Sequence, residues 1–157
     1  MKIRVIWEGR TRNEHFQALQ NDYTERISRF IPIKVEEARG SSGMARMDGS
    51  AKDKLTPFEE RLIGKTHDCF TVLLDPRGEG WTSEQFAEWL GRQATHGTKG
   101  IAFVVGGAEG FSGPFRQRAD LLLALSRMTL THDWARTLLL EQIYRGFAIL
   151  RGYPYAR

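Results

Sequence analysis

Three segments of the sequence carry the residue types of a small-molecule site. In the first, the apolar run Ile101-Ala102-Phe103-Val104-Val105 ends in Gly106-Gly107-Ala108-Glu109-Gly110. An apolar run this rich in β-branched residues reads as a strand buried on both faces. The glycines at its exit let the backbone approach a ligand closely. The second segment is Leu74-Asp75 with the turn Pro76-Arg77-Gly78-Glu79-Gly80, and the third is the run from Leu125 to Leu130. In open α/β sheets ligands settle outside the carboxyl ends of the strands. Strands of a parallel sheet exit along one edge, so the free backbone groups of three exits can hold a purine and a ribose without charged side chains. Each segment also has a plainer reading. The glycines serve as a tight strand-to-loop turn, and Leu125 to Leu130 serves as core with Arg127 in solvent.

Known phosphate cradles do not match. A dinucleotide fingerprint needs G-x-G-x-x-G after the first strand of a βαβ unit. Here the order is G-G-x-x-G after the fourth. G-x-x-x-x-G-K-[ST] is absent, and so is the nucleophile elbow G-x-S-x-G. His15, His67, His96 and His132 show no ligand spacing, so no metal is expected. Cys69 is the only cysteine, which excludes an intrachain disulfide.

The net charge of +4 is unevenly placed. Residues 1–111 balance, whereas residues 112–157 hold seven arginines and no lysine against Asp120, Asp133 and Glu141. Arginine's planar fork suits bidentate phosphate contacts. The C-terminal third therefore points to a polyanionic partner, with a solvated basic helix face as the plainer alternative.

The elements that must position these residues follow from periodicity. Residues 2–7 alternate as a strand, too charged for a signal peptide. No apolar run approaches a membrane span, and a cytoplasmic protein is expected. Phe16, Leu19, Tyr23, Ile27 and Phe30 mark one face of a helix over 12–30. Strands are expected at 33–38, 69–75, 100–106 and 121–126, the last leucine-rich and ambiguous. Thr56-Pro57-Phe58-Glu59 is a capping box opening a helix that ends at Gly64. Thr82 and Gln85 cap another, ending near Gly97. Pro114 opens a short one to Asp120. Trp134 to Leu150 is the last helix, with Asp133 as its N-cap and Trp134, Leu138, Ile143, Phe147 and Leu150 toward the core. Gly152 ends it before the tail 153–157. Residues 39–50 read as a polar loop. Alternating strands and helices predict one α/β domain over 1–157, a mostly parallel sheet with helices on both faces.

Four segments in order, Val104 to Gly110, Met128 to His132, Glu141 to Arg145 and Pro154 to Arg157, resemble the RlmH family. These are SPOUT-type methyltransferases acting on N3 of a pseudouridine in 23S ribosomal RNA of assembled ribosomes. The resemblance covers the whole chain, strongest from Leu74 onward and weak across 39–65. It implies a SPOUT-type fold with a C-terminal trefoil knot and a homodimer. It implies S-adenosylmethionine held by Leu74, Gly106, Leu125, Ser126, Arg127, Met128, Thr129 and Leu130, the same three exits.

The catalytic residues it suggests are His132, Arg136, Tyr155 and Arg157. A uracil-type imide nitrogen must lose a proton, and His132 is the candidate base. Arg136 and Arg157 suit phosphates, and Tyr155 suits stacking on a base. Tyr144 and Arg145, with the apolar Leu139 and Leu140, are candidates for dimer packing. The sequence departs from the family at Thr131, usually proline, and at Ala156, usually histidine, which leaves the base assignment open. Two other classes stay in view: a ribosome-binding protein of the same fold without catalysis, and a nucleotide-binding oxidoreductase that lacks the fingerprint.

Overall fold

The structure, a computed structural model, describes residues 1–39 and 53–155. Five strands and five helices alternate: β1 Lys2–Glu8, α1 Glu14–Ser28, β2 Ile33–Ala38, α2 Pro57–Thr66, β3 Phe70–Gly80, α3 Ser83–Thr95, β4 Gly100–Val105, α4 Gly113–Arg118, β5 Leu121–Ala124 and α5 His132–Leu150. The strands form one parallel sheet in the order β2-β1-β4-β3-β5. β4, the strand leading into the glycines, lies at its centre and is buried throughout.

Strand alternation divides the core in two. Ile3, Val5, Trp7, Val72, Ile101 and Phe103 face one side, against Ile27 of α1, Phe86 and Leu90 of α3, and Leu139 and Ile143 of α5. Ile6, Leu73 and Val104 face the other, against Phe58 and Leu62 of α2 and Phe115 of α4. Helices therefore cover both faces of the sheet.

Several boundaries differ from the sequence expectation. β3 does not stop at Asp75. After a register shift between Leu74 and Glu79, Glu79 and Gly80 pair with Leu123 and Ala124 of β5. Gly78 makes this possible, because a Cβ there would lie 2.4 Å from the Leu122 carbonyl carbon. α2 runs past Gly64 to Thr66. α5 starts at His132 with Thr131 as its N-cap, so Asp133 sits inside the first turn. The buried stripe of α5 is also rotated from the expected one. Leu139, Leu140, Ile143 and Phe147 are buried, whereas Trp134 and Leu150 are largely exposed. Leu139 and Leu140 thus belong to the core and are unavailable for dimer packing. The expected loop 39–50 lies, apart from Arg39, outside the described residues.

Candidate active site

The carboxyl edge of the sheet opens into a cleft of about 580 Å³, within the range of small-ligand sites. Four segments line it. The exit of β3 contributes Leu74 and Asp75, the glycine loop contributes Gly106 to Ala108 and Phe111, the loop after β5 contributes Leu125 to Leu130 without Arg127, and α5 contributes His132 and Ala135. Of the expected cofactor residues, Leu74, Gly106, Leu125, Ser126, Met128, Thr129 and Leu130 are brought together here. Arg127 is not on the lining and is exposed on the same loop.

Local chemistry shapes these walls. Gly110 adopts φ +72° and closes a turn by donating its N–H to the Gly107 carbonyl at 3.1 Å. Gly106 is needed for close packing instead, since a Cβ there would meet the Phe111 ring at 3.1 Å. Its missing side chain thus makes room for Phe111, which itself lines the cleft, and not directly for a ligand. The Gly107 N–H donates to Glu8 Oε2 at 3.2 Å, tying the loop to the exit of β1. Ser126 Oγ accepts the Met128 N–H at 2.9 Å, which bends the loop after β5.

The lining is largely apolar and backbone, and among the described residues it includes no lysine or arginine. Its one carboxylate, Asp75, is 4 % exposed. Asp75 Oδ1 accepts the Arg77 N–H at 2.9 Å, and Oδ2 lies 3.8 Å from Arg116. A ligand carrying several phosphates would find no cation inside, whereas a nucleoside, neutral or positively charged, meets a compatible wall. Among the described residues no three His, Cys, Asp or Glu side chains gather as a metal centre would require.

Comparison with known proteins decides the family. The model described as "Predicted SPOUT methyltransferase" matches residues 1–156. The chain belongs to the SPOUT methyltransferase family. It is 42% identical over 160 residues to the Ribosomal RNA large subunit methyltransferase H of Geobacter sulfurreducens, covering 99% of both chains. It is 38% identical to the protein of that name from Trichlorobacter lovleyi, again over 99% of both. The fold is shared with a probable methylase family protein from Haemophilus influenzae, at a TM-score of 0.52 and 13% identity over 96% of this chain and 66% of that one. TrmJ from Z. mobilis likewise gives a TM-score of 0.52 at 12% identity, over 100% of this chain and 73% of that one.

In this methyltransferase the remaining expected residues are dispersed. His132 is exposed, opens α5 and lines the cleft. Arg136 corrects the sequence reading, because it is 3 % exposed and not available to a phosphate. Its guanidinium donates to the Glu8 carbonyl at 2.6 Å and to Thr11 Oγ1 at 3.0 Å, with the Trp7 ring centroid at 5.3 Å. Burial lowers its pKa, opposed by the nearby Asp133. Tyr155 follows α5 in sequence and folds back onto it and onto α1, away from His132. It shares a 3.0 Å hydrogen bond with the Tyr23 hydroxyl, meets Tyr144 edge-on at 4.8 Å and carries the Arg145 guanidinium at 4.7 Å. Burial, followed by the Tyr23 hydrogen bond, raises its pKa well above the usual phenol value. Arg157 lies outside the described residues.

Sequence reasoning placed Asp75 in the second exit segment without giving it a role, and it missed Phe111 as a site residue. Asp75 left a signal, a lone acid ending an apolar strand, which must be partnered if buried. Phe111 left a weaker one, an aromatic residue directly after the glycine loop.

Proposed function

We propose that the chain transfers the methyl group of S-adenosylmethionine to N3 of a pseudouridine in 23S ribosomal RNA of assembled ribosomes, acting as a cytoplasmic homodimer. The observation that carries this reading is the cleft at three strand exits, whose described lining holds no lysine or arginine. It occurs in a chain whose full-length relatives are named Ribosomal RNA large subunit methyltransferase H. When bound, the cofactor supplies a methyl group made electrophilic by its sulfonium. Leu74, Gly106 and the loop from Leu125 to Leu130 would hold the nucleoside, and Asp75 is the carboxylate of a lining suited to a cation. Positioning the base nitrogen against the methyl carbon is the main catalytic task, a proximity effect. His132, exposed at the cleft, would accept the N3 proton.

The placement of the tail supports the homodimer. His132 opens α5, whereas Tyr155 packs on Tyr144 and Arg145, roughly 18 Å further along the helix at 1.5 Å per residue. One chain does not bring its own Tyr155 to its own His132, so a site using both, with Arg157, draws the tail from a second copy. A knotted C-terminal path belongs to this reading.

The test is mass mapping of large-subunit RNA from cells with and without the protein, with transfer of labelled methyl groups to purified ribosomes. Loss of one methyl group on a pseudouridine in the deleted strain is expected, and its return with the purified chain. Ribosome binding without transfer would favour the non-catalytic alternative, and unchanged RNA would overturn the proposal.

A further inference from the structure

One deeply buried carboxylate has no place in the methyl-transfer reading. Glu59, in the first turn of α2, is 1 % exposed. Its Oε2 accepts the Thr56 N–H at 2.8 Å, while Thr56 Oγ1 accepts the Glu59 N–H at 3.2 Å. That exchange is a capping box, and it satisfies α2. Glu59 does more. Oε1 accepts the Ser112 N–H at 2.8 Å, and Oε2 accepts the Ser112 hydroxyl at 2.6 Å. Ser112 Oγ in turn accepts the Phe115 N–H at 3.3 Å and caps α4. The partner lies 53 residues away in sequence, so this is a tertiary clamp added to a local cap. Three donors on one buried carboxylate offset its desolvation.

The clamp acts where the cleft is made. Ser112 directly follows Phe111, which lines the cleft and packs against Gly106. Phe111 is held from its other side as well, where Arg116 Nη1 donates to its carbonyl at 2.7 Å. The same guanidinium lies 3.8 Å from Asp75. Glu59 and Asp75 thus grip the end of the glycine loop from two directions. An isolated capping box would not reach Ser112, and its loss would be felt in α2 alone.

We propose that Glu59 is a positioning residue for the cofactor cleft: through Ser112 it holds Phe111 and the glycine loop in the conformation that receives the nucleoside. It touches neither cofactor nor substrate. The proposal rests on the S-adenosylmethionine reading above, and its test separates the two.

The experiment uses the full chain, with Glu59→Ala, Glu59→Gln and Ser112→Ala. Ile27→Ala is the control, a fully buried residue of α1 on the opposite face of the sheet from Phe111 and outside the cleft lining. Calorimetry measures S-adenosylhomocysteine binding, and hydrogen exchange of the ligand-free chain measures opening of residues 106–112. Glu59→Ala and Ser112→Ala should each weaken binding about tenfold, the loss expected for a charge-assisted hydrogen bond. Glu59→Gln, which keeps one acceptor, should fall between them and the parent. Exchange over 106–112 should accelerate in the same order. Ile27→Ala should lower the melting temperature at least as much while leaving affinity and loop exchange close to the parent. If Glu59→Ala fails to fold, Glu59→Gln and Ser112→Ala carry the comparison. Parent-like affinity and exchange in the Glu59 and Ser112 variants, or equal effects in Ile27→Ala, would overturn the proposal. If the parent chain itself does not bind S-adenosylhomocysteine, the cofactor reading falls, and loop exchange alone still decides the role of Glu59.

Discussion

Replacing Arg136 by methionine should destabilise the fold without weakening the grip on RNA. The side chain is nearly sealed from solvent, and its guanidinium holds the Glu8 carbonyl and Thr11 Oγ1. Methionine fills similar space and removes both hydrogen bonds. Each buried polar group left unpaired costs about 1–3 kcal/mol, so the gross loss is about 2–6 kcal/mol. A gain offsets part of it. Arg136 Nε is buried without a hydrogen-bond partner, and removing it relieves about 1–3 kcal/mol of the same kind. The net expectation is a destabilisation of about 2 kcal/mol. Urea unfolding of the two proteins at neutral pH measures it. Ribosome binding as a function of salt supplies the second readout, since loss of a phosphate contact lowers the salt slope by about one. An unchanged slope with reduced stability is expected. A variant as stable as the parent, or one with a shallower slope, would refute the structural role.

Gly78→Ala should abolish folding or cost several kcal/mol, since its Cβ would sit 2.4 Å from β5 backbone that cannot move aside; circular dichroism melting checks it. Gly106→Val should weaken both stability and nucleoside affinity by displacing Phe111, and intact stability with lost affinity would show that the ligand fills that space instead. Alkaline titration followed by tyrosinate absorbance should show one tyrosine, Tyr155, ionising later than the others. Because its folded pKa is raised, the stability it contributes is complete below the unfolded value near 10 and is lost as pH rises above it. Tyr155→Phe should remove that alkaline loss, measured by unfolding at pH 8 and above pH 10. Deleting residues 155–157 should lower the melting temperature by a few degrees, because Tyr155 packs on Tyr144 and Arg145 rather than fraying.

The element order was legible because nearly every element has a clean local signal: alternation in β1, capping boxes at Thr56 and Thr82, and an uninterrupted apolar run in β4. The three strand exits were legible for the same reason, since parallel strands leave their loops on one edge. Where local and tertiary signals disagree, the sequence misleads. In α5 the buried stripe includes Arg136 and Gly146, which no apolar template counts, so the period was read from Trp134 and Leu150 at the ends. Arg136 is buried because acceptors more than a hundred residues away meet it. Pro76 to Gly80 has turn composition, yet it continues β3 because Gly78 admits the β5 backbone. Tyr155 has the composition of a loose, stacking tail, but its partners on α1 and α5 hold it against the domain.

The distribution of charge at the carboxyl edge explains how one face can serve a nucleoside and a nucleic acid together. The sequence places the whole excess charge in the last third, which suggests a basic C-terminal surface. Folding rearranges that picture, burying Arg136 and tying Arg145 to Glu141 through a 2.7 Å contact. Among the exposed arginines, several follow the ends of strands from both halves of the chain: Arg10 and Arg12 after β1, Arg39 after β2 and Arg127 after β5. Parallel strands bring these exits to the same edge as the cleft. None of these side chains lines the cleft, whose one charged side chain is the Asp75 carboxylate. Phosphate affinity is thereby kept at the mouth, where solvent screening lets a polyanion bind and leave. The interior stays favourable to a ligand without phosphates. A cation inside would attract RNA backbone into the space the nucleoside needs. The exclusion of Arg127 from a loop whose neighbours Ser126 and Met128 both enter the lining is the most direct trace of that division.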